Sequence, residues 1–119
     1  MKKVNERACV NRLVKALQKN SPQVYIHVDR DSGSERHTSS SWDFLVAWDK
    51  NVIFCEAKTE NGKLTEWQEF TRALVHATGG VFKIIRFWDE GETFTVSPFG
   101  ASFTTPKMRT ENIELQDLL

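Results

Sequence analysis

Asp43, Glu56 and Lys58 interrupt two otherwise apolar runs, and two acids with a lysine beside them could hold a divalent cation. Along residues 52–58 the side chains of a strand would alternate, so Val52, Phe54, Glu56 and Lys58 share one face and Ile53, Cys55 and Ala57 the other. The apolar run at 42–48 is separated from this strand by Asp49-Lys50, which reads as a hairpin with a weak turn signal. With the turn centred there, residues whose numbers sum to 99 face each other, and Asp43 lies directly across from Glu56. Opposed Cβ atoms stand about 4.5–5.5 Å apart, and like charges at that separation are destabilising. A positive group should therefore sit between them. Lys58 is one candidate and a divalent cation another, because paired carboxylate oxygens suit hard Mg²⁺ or Mn²⁺. The plainer alternative is a solvated strand end with an ordinary Glu56–Lys58 pair.

Two further polar residues are placed by helices. Val10, Leu13, Val14 and Leu17 recur at helical spacing over residues 3–19, and Glu6 projects among the directions of Val10, Leu13 and Leu17. An inward Glu6 needs positive charge nearby, whereas a first-turn Glu6 favoured by the helix dipole would face solvent. Thr65 is an expected N-cap for a second helix carrying Trp67, Phe70, Leu74 and Val75, ended by Gly79-Gly80, with Gln68 at the margin of its apolar face.

Between these elements, Ser21-Pro22 stops the first helix, 24–28 is β-branched and aromatic, and 31–41 is a polar loop with no large apolar residue. A strand over 81–88, a Glu90-Gly91 turn and a short strand over 93–96 follow, then a weak helical pattern over 111–118. The order is α-β-β-β-α-β-(β), an α/β fold with a mixed sheet flanked by helices. Its 119 residues, 39% hydrophobic with four Trp and eight Phe, fit one folded domain and exclude disorder and low-complexity classes. No apolar run is long enough for a membrane span and no signal peptide is visible, so an intracellular protein without membrane association is expected. Cys9 and Cys55 lie in apolar patterns without metal-site spacing and read as buried thiols. Sixteen basic and sixteen acidic residues cancel, but residues 1–88 carry fourteen Lys/Arg against ten Asp/Glu and residues 89–119 two against six. A polyanion would meet the first part of the chain.

Trp42-Asp43 followed after twelve residues by Glu56-Ala57-Lys58 resembles the PD-(D/E)XK nuclease superfamily, with its acid on one strand and E-x-K on the hairpin partner. Asn61-Gly62-Lys63-Leu64-Thr65-Glu66-Trp67-Gln68, then Gly79-Gly80 before a strand, resembles the virus-type replication-repair nuclease branch (VRR-NUC), as do a Glu on the first helix (Glu6) and a Gln on the second (Gln68). The match spans residues 3–88 and departs from the family in one place: Ser40-Ser41-Trp42-Asp43 stands where Gly-x-Pro-Asp is usual.

The resemblance implies a restriction-endonuclease-like αβββαβ core over residues 1–97, with 98–119 a C-terminal extension for docking or dimerisation. It implies a Mg²⁺-dependent endonuclease, with Mn²⁺ able to substitute, hydrolysing DNA and selecting branched or junction structures as Holliday junction resolvases do. Asp43, Glu56, the Ala57 backbone carbonyl and Glu6 would hold the metal. Lys58 would orient water and stabilise transition-state charge, and Gln68 would steady the lysine or the scissile phosphate. Arg30, Arg36, His37 and Lys63 are candidate DNA contacts, against the plainer reading of a solvated loop. No organic cofactor is implied. A homodimer is expected, using exposed aromatics and the C-terminal Ile113, Leu115, Leu118 and Leu119. The setting is cytoplasmic, and virus- or phage-encoded action in a host cell is compatible with the resemblance. The alternatives are a non-catalytic nucleic-acid-binding module on the same fold, and an unrelated α/β domain in which Asp43, Glu56 and Lys58 form a structural ion cluster.

Overall fold

The computed structural model describes residues 5–29, 42–98 and 106–119. Helix α1 (Glu6–Asn20) starts where the Asn5 side chain accepts hydrogen bonds from the Arg7 and Ala8 amides. Its buried stripe is Cys9, Val10, Leu13 and Leu17, as the helical spacing requires. Strands β1 (Tyr25–Val28), β2 (Phe44–Trp48) and β3 (Asn51–Lys58) follow. Helix α2 (Glu66–Ala77) then crosses over to β4 (Val81–Trp88), and β5 (Thr93–Pro98) and β6 (Met108–Arg109) complete the order. The six strands form one sheet in sequence order, antiparallel throughout except for the parallel β3–β4 pair joined by α2. This is a mixed-sheet α/β architecture. No helix among the described residues is long and apolar enough to cross a membrane.

The β2–β3 register is the one the turn position predicts: Phe44 pairs with Cys55 and Trp48 with Asn51. Asp49 and Lys50 both adopt positive φ, 42° and 69°, and the Asn51 side-chain amide donates to the Asp49 carbonyl at 3.0 Å. These two left-handed residues give the tight turn its twist although neither is glycine. One face of the sheet is sealed by α1 against Phe44, Val46, Ile53, Cys55, Ala57, Ile85 and Phe87. Cys9 and Cys55 are free, buried thiols within this layer, and burial raises the pKa of both.

Two expectations are corrected here. The apolar face proposed for α2 does not pack inward: Trp67, Phe70 and Leu74 are 51%, 56% and 53% exposed, and no residue of α2 is fully buried. The helix is instead rolled so that Gln68, Thr71, Arg72 and Val75, roughly a third of a turn away, are the half-buried positions. The C-terminal apolar residues also do not form a free surface. Ile113 and Leu118 are fully buried and Leu115 nearly so, all within the core beneath α1, while Leu119 alone of the four is exposed.

In place of a short helix over 111–118 there are two 3-10 turns, Thr110–Asn112 and Leu115–Leu118, with extended backbone at Ile113 and Glu114 between them. That break lets Ile113 and Leu115 both reach the core. Side chains tie the segment down: Asn20 donates to the Glu111 and Ile113 carbonyls at 3.0 and 2.9 Å, and the Leu115 amide donates to Ser21 Oγ at 2.9 Å. Leu118→Ala is accordingly expected to cost about 2–5 kcal/mol in chemical denaturation, as for a core leucine, and a loss below about 0.5 kcal/mol would show the segment to be peripheral.

Candidate active site

Asp43 and Glu56 come together as the hairpin register demands. The Asp43 amide donates to the Cys55 carbonyl at 2.8 Å, extending the ladder one residue beyond β2. Trp42 packs edge-on against Phe54 with ring centroids 5.6 Å apart, so packing holds the start of the strand. The Ala57 amide donates to Asp43 Oδ2 at 2.7 Å, fixing one oxygen of that carboxylate.

Glu56 is 3% exposed. Its Oε2 accepts a hydrogen bond from Gln68 Nε2 at 2.6 Å and lies 3.8 Å from Lys58 Nζ. Burial is the main cause that pushes the Glu56 carboxyl up to about 9; the Asp43 charge adds to it, Lys58 opposes it, and a hydrogen bond to Asp43 and the charge of Glu6 raise it further. One ammonium at 3.8 Å thus does not compensate the two opposed acids. The crowding is a property of the fold.

Gln68 has two tasks. Its Oε1 accepts from the Thr65 amide at 2.9 Å while its own amide donates to Thr65 Oγ1 at 3.1 Å, closing a capping box. The remaining Nε2 reaches Glu56. The helix start therefore aims the glutamine at the carboxylate, with the Trp67–Phe70–Leu74 stripe facing outward. Gln68 thus donates to the same Glu56 oxygen that Lys58 approaches.

Glu6 is half-buried at the first turn of α1. It lines a recess of about 250 Å³ together with Arg7, Val10, Asn11, Asp29 and Asp43. Asp29 was missed by sequence reasoning. It follows β1, donates its amide to the Asp43 carbonyl at 2.9 Å and shares the recess, and its only sequence signal was an acid where a strand meets a polar loop. Lys63 is exposed at the entry to α2. Arg30, Arg36 and His37 lie outside the described residues.

Among the described residues no group of three or more His, Cys, Asp or Glu side chains stands ready to hold a metal ion. A cation site here would consist of the two carboxylates Asp43 and Glu56 with the main-chain carbonyl of Ala57. All are hard oxygen donors, the set Mg²⁺ or Mn²⁺ prefers, and the crowded acids have charge to be neutralised. The donors fit such an ion.

No protein-family model matches the chain. No curated protein matches it either. Among solved structures it is similar to Hjc, a Holliday junction resolvase from the archaeal hyperthermophile Archaeoglobus fulgidus, with 13% sequence identity, a TM-score of 0.49, and coverage of 78% of this chain and 72% of that one.

Proposed function

We propose that the protein is a divalent-metal-dependent endonuclease that hydrolyses DNA phosphodiester bonds and selects branched or junction structures. The observation that supports it most is Glu56, buried opposite the half-buried Asp43 across a hairpin and incompletely compensated by Lys58. A purely structural ion cluster would be expected to keep its acids ionised by balancing their charges, whereas here Glu56 holds its proton at neutral pH, and a cation could take that proton's place.

In this reading Asp43, Glu56 and the Ala57 carbonyl would hold Mg²⁺ or Mn²⁺, with Glu6 contributing through water from across the recess. Bound there, the metal would lower the pKa of a water and offset charge on the phosphate oxygens. Lys58, held on the same sheet face as Glu56, orients the water and stabilises transition-state charge. Gln68 keeps the Glu56 carboxylate aimed, because it is itself locked by the capping box. Lys63, exposed at the entry to α2, would meet a phosphate, and Arg30, Arg36 and His37 would complete the proposed DNA contacts. The VRR-NUC branch and virus- or phage-encoded action in a host cytoplasm belong to the same reading, which needs no organic cofactor.

The test is a panel of end-labelled linear, nicked, flap and four-way-junction DNAs incubated with Mg²⁺, Mn²⁺ or EDTA. Internal cuts in the branched substrates that need metal are expected. Binding of the same DNAs without any cut in either metal would favour the non-catalytic module.

A homodimer belongs to the proposal, since a two-fold junction offers paired cleavage points. The surface for it is the α2 stripe, because Ile113, Leu115 and Leu118 are used in the core. Two α2 helices crossing antiparallel about a point between Phe70 and Thr71 would set Trp67 of each against the partner's Leu74, a self-complementary match. Phe70→Glu combined with Leu74→Glu is expected to convert a dimer to a monomer in light scattering at micromolar concentration while circular dichroism shows the fold kept, since neither residue packs in the protomer's core. A monomeric wild type, or a dimer indifferent to both changes, would reject this arrangement.

A further inference from the structure

Lys58 is the last residue of β3, where a lysine would normally extend its head into water, yet it is 8% exposed. The turn that follows folds back over it. A Cβ at Gly62 would stand 3.2 Å from Lys58 Cδ and 3.5 Å from Lys58 Cβ, so the glycine backbone lies against the aliphatic stem. The turn is closed by the Gly62 amide donating to the Thr59 carbonyl at 3.0 Å.

Across the sheet, Arg86 of β4 is in register with Lys58. A single guanidinium nitrogen, Nη1, donates to the carbonyls of Thr59 and Gly62 at 2.8 Å each and to that of Glu60 at 3.4 Å. One side chain thus gathers three carbonyls of the turn that covers the lysine. Nη1 carries two N–H groups, one for each 2.8 Å contact, and the longer Glu60 contact shares one of them; together they fix the loop's distance from the strand.

We infer that Arg86, acting through the 59–62 turn and Gly62, is a positioning residue for Lys58, holding its stem down so that its ammonium stays beside Glu56. The catalytic consequence rests on the nuclease reading; the placement of the lysine does not. In Arg86→Met the stem packing of residue 86 is kept and the three hydrogen bonds are lost, so the turn should lift and Lys58 should swing out.

The placement is read by acylating surface amines of the folded protein and following each lysine by mass spectrometry. Lys83, equally buried at the opposite end of β4, serves as internal reference for the strand's integrity. Lys58 in Arg86→Met is expected to be modified at least about tenfold faster than in wild type, with Lys83 unchanged. DNA cleavage should lose roughly tenfold to a hundredfold in kcat with KM nearly constant, as for a misplaced catalytic group.

Unchanged Lys58 labelling would overturn the inference, and so would Lys58 and Lys83 rising together, which reports general loosening. Should Arg86→Met not fold, Gly62→Ala tests the same contact without touching the guanidinium: the backbone there is not left-handed, so only the methyl's approach to Lys58 Cδ disturbs the site. Faster Lys58 labelling in that variant supports the inference and an unchanged rate overturns it. If wild type cuts no DNA, the nuclease reading fails while the labelling still decides the role of Arg86.

Discussion

Glu56→Gln is expected to abolish metal-dependent cleavage, and Lys58→Met to lower its rate by roughly 10²–10³. Neither change should unfold the protein. Glutamine has the shape of glutamate and can still accept the Gln68 hydrogen bond through its carbonyl oxygen, but it removes the negative charge that a cation needs. Methionine is preferred to alanine at position 58 because the lysine stem is buried against Gly62, and truncating it would remove packing along with the charge. Circular dichroism and melting of each variant separate loss of chemistry from loss of fold. Wild-type cleavage by folded Glu56→Gln would remove Glu56 from the mechanism.

The same substitution should stabilise the metal-free protein at neutral and alkaline pH. Below the ordinary glutamate value of 4.5 the carboxyl is protonated in both folded and unfolded chains and contributes no pH dependence. Between 4.5 and about 9 the unfolded chain releases its proton while the folded chain retains it. Unfolding then releases a proton, so wild-type stability falls as pH rises through that window. Glutamine does not titrate and escapes the loss. Glu56→Gln should therefore melt at least about 4 °C above wild type at pH 8, about 1 kcal/mol for a domain of this size, and level with it at pH 4. A variant that is no more stable at pH 8 than wild type would show that the buried acid pair is not a source of strain. Millimolar Mg²⁺ should narrow the difference at pH 8 by stabilising wild type alone.

These expectations depend on parts of the fold that differ in how openly the chain declares them. The register of β2 against β3 was legible because a short turn fixes the sum of paired residue numbers, and alternation then places Asp43 and Glu56 on a common face. α1 was legible from its stripe, and the cap at Thr65 from its residue type.

The orientation of α2 was not legible. Periodicity finds the Trp67–Phe70–Leu74 stripe, but the face that turns inward carries a long-range hydrogen bond, Gln68 to Glu56, that no local pattern encodes. The C-terminal residues misled for a related reason. Ile113, Leu115 and Leu118 follow neither the helical nor the strand period, and their place in the core depends on α1 offering Asn20 and Ser21 as anchors 91 to 94 residues away in sequence. Asp29 and Arg86 were missed because a lone charge at a strand end or within a strand carries no signal until the neighbouring turn is known.

The most direct test of the account is a calorimetric titration of Mg²⁺ into the wild-type protein and into Glu56→Gln at pH 8. A saturable site in wild type, lost in the variant and tightening as pH rises because Glu56 must give up its proton to the metal, is the predicted result. Absence of a saturable site in folded wild-type protein, or equal binding by the variant, would contradict the claim that Asp43 and Glu56 form a metal centre.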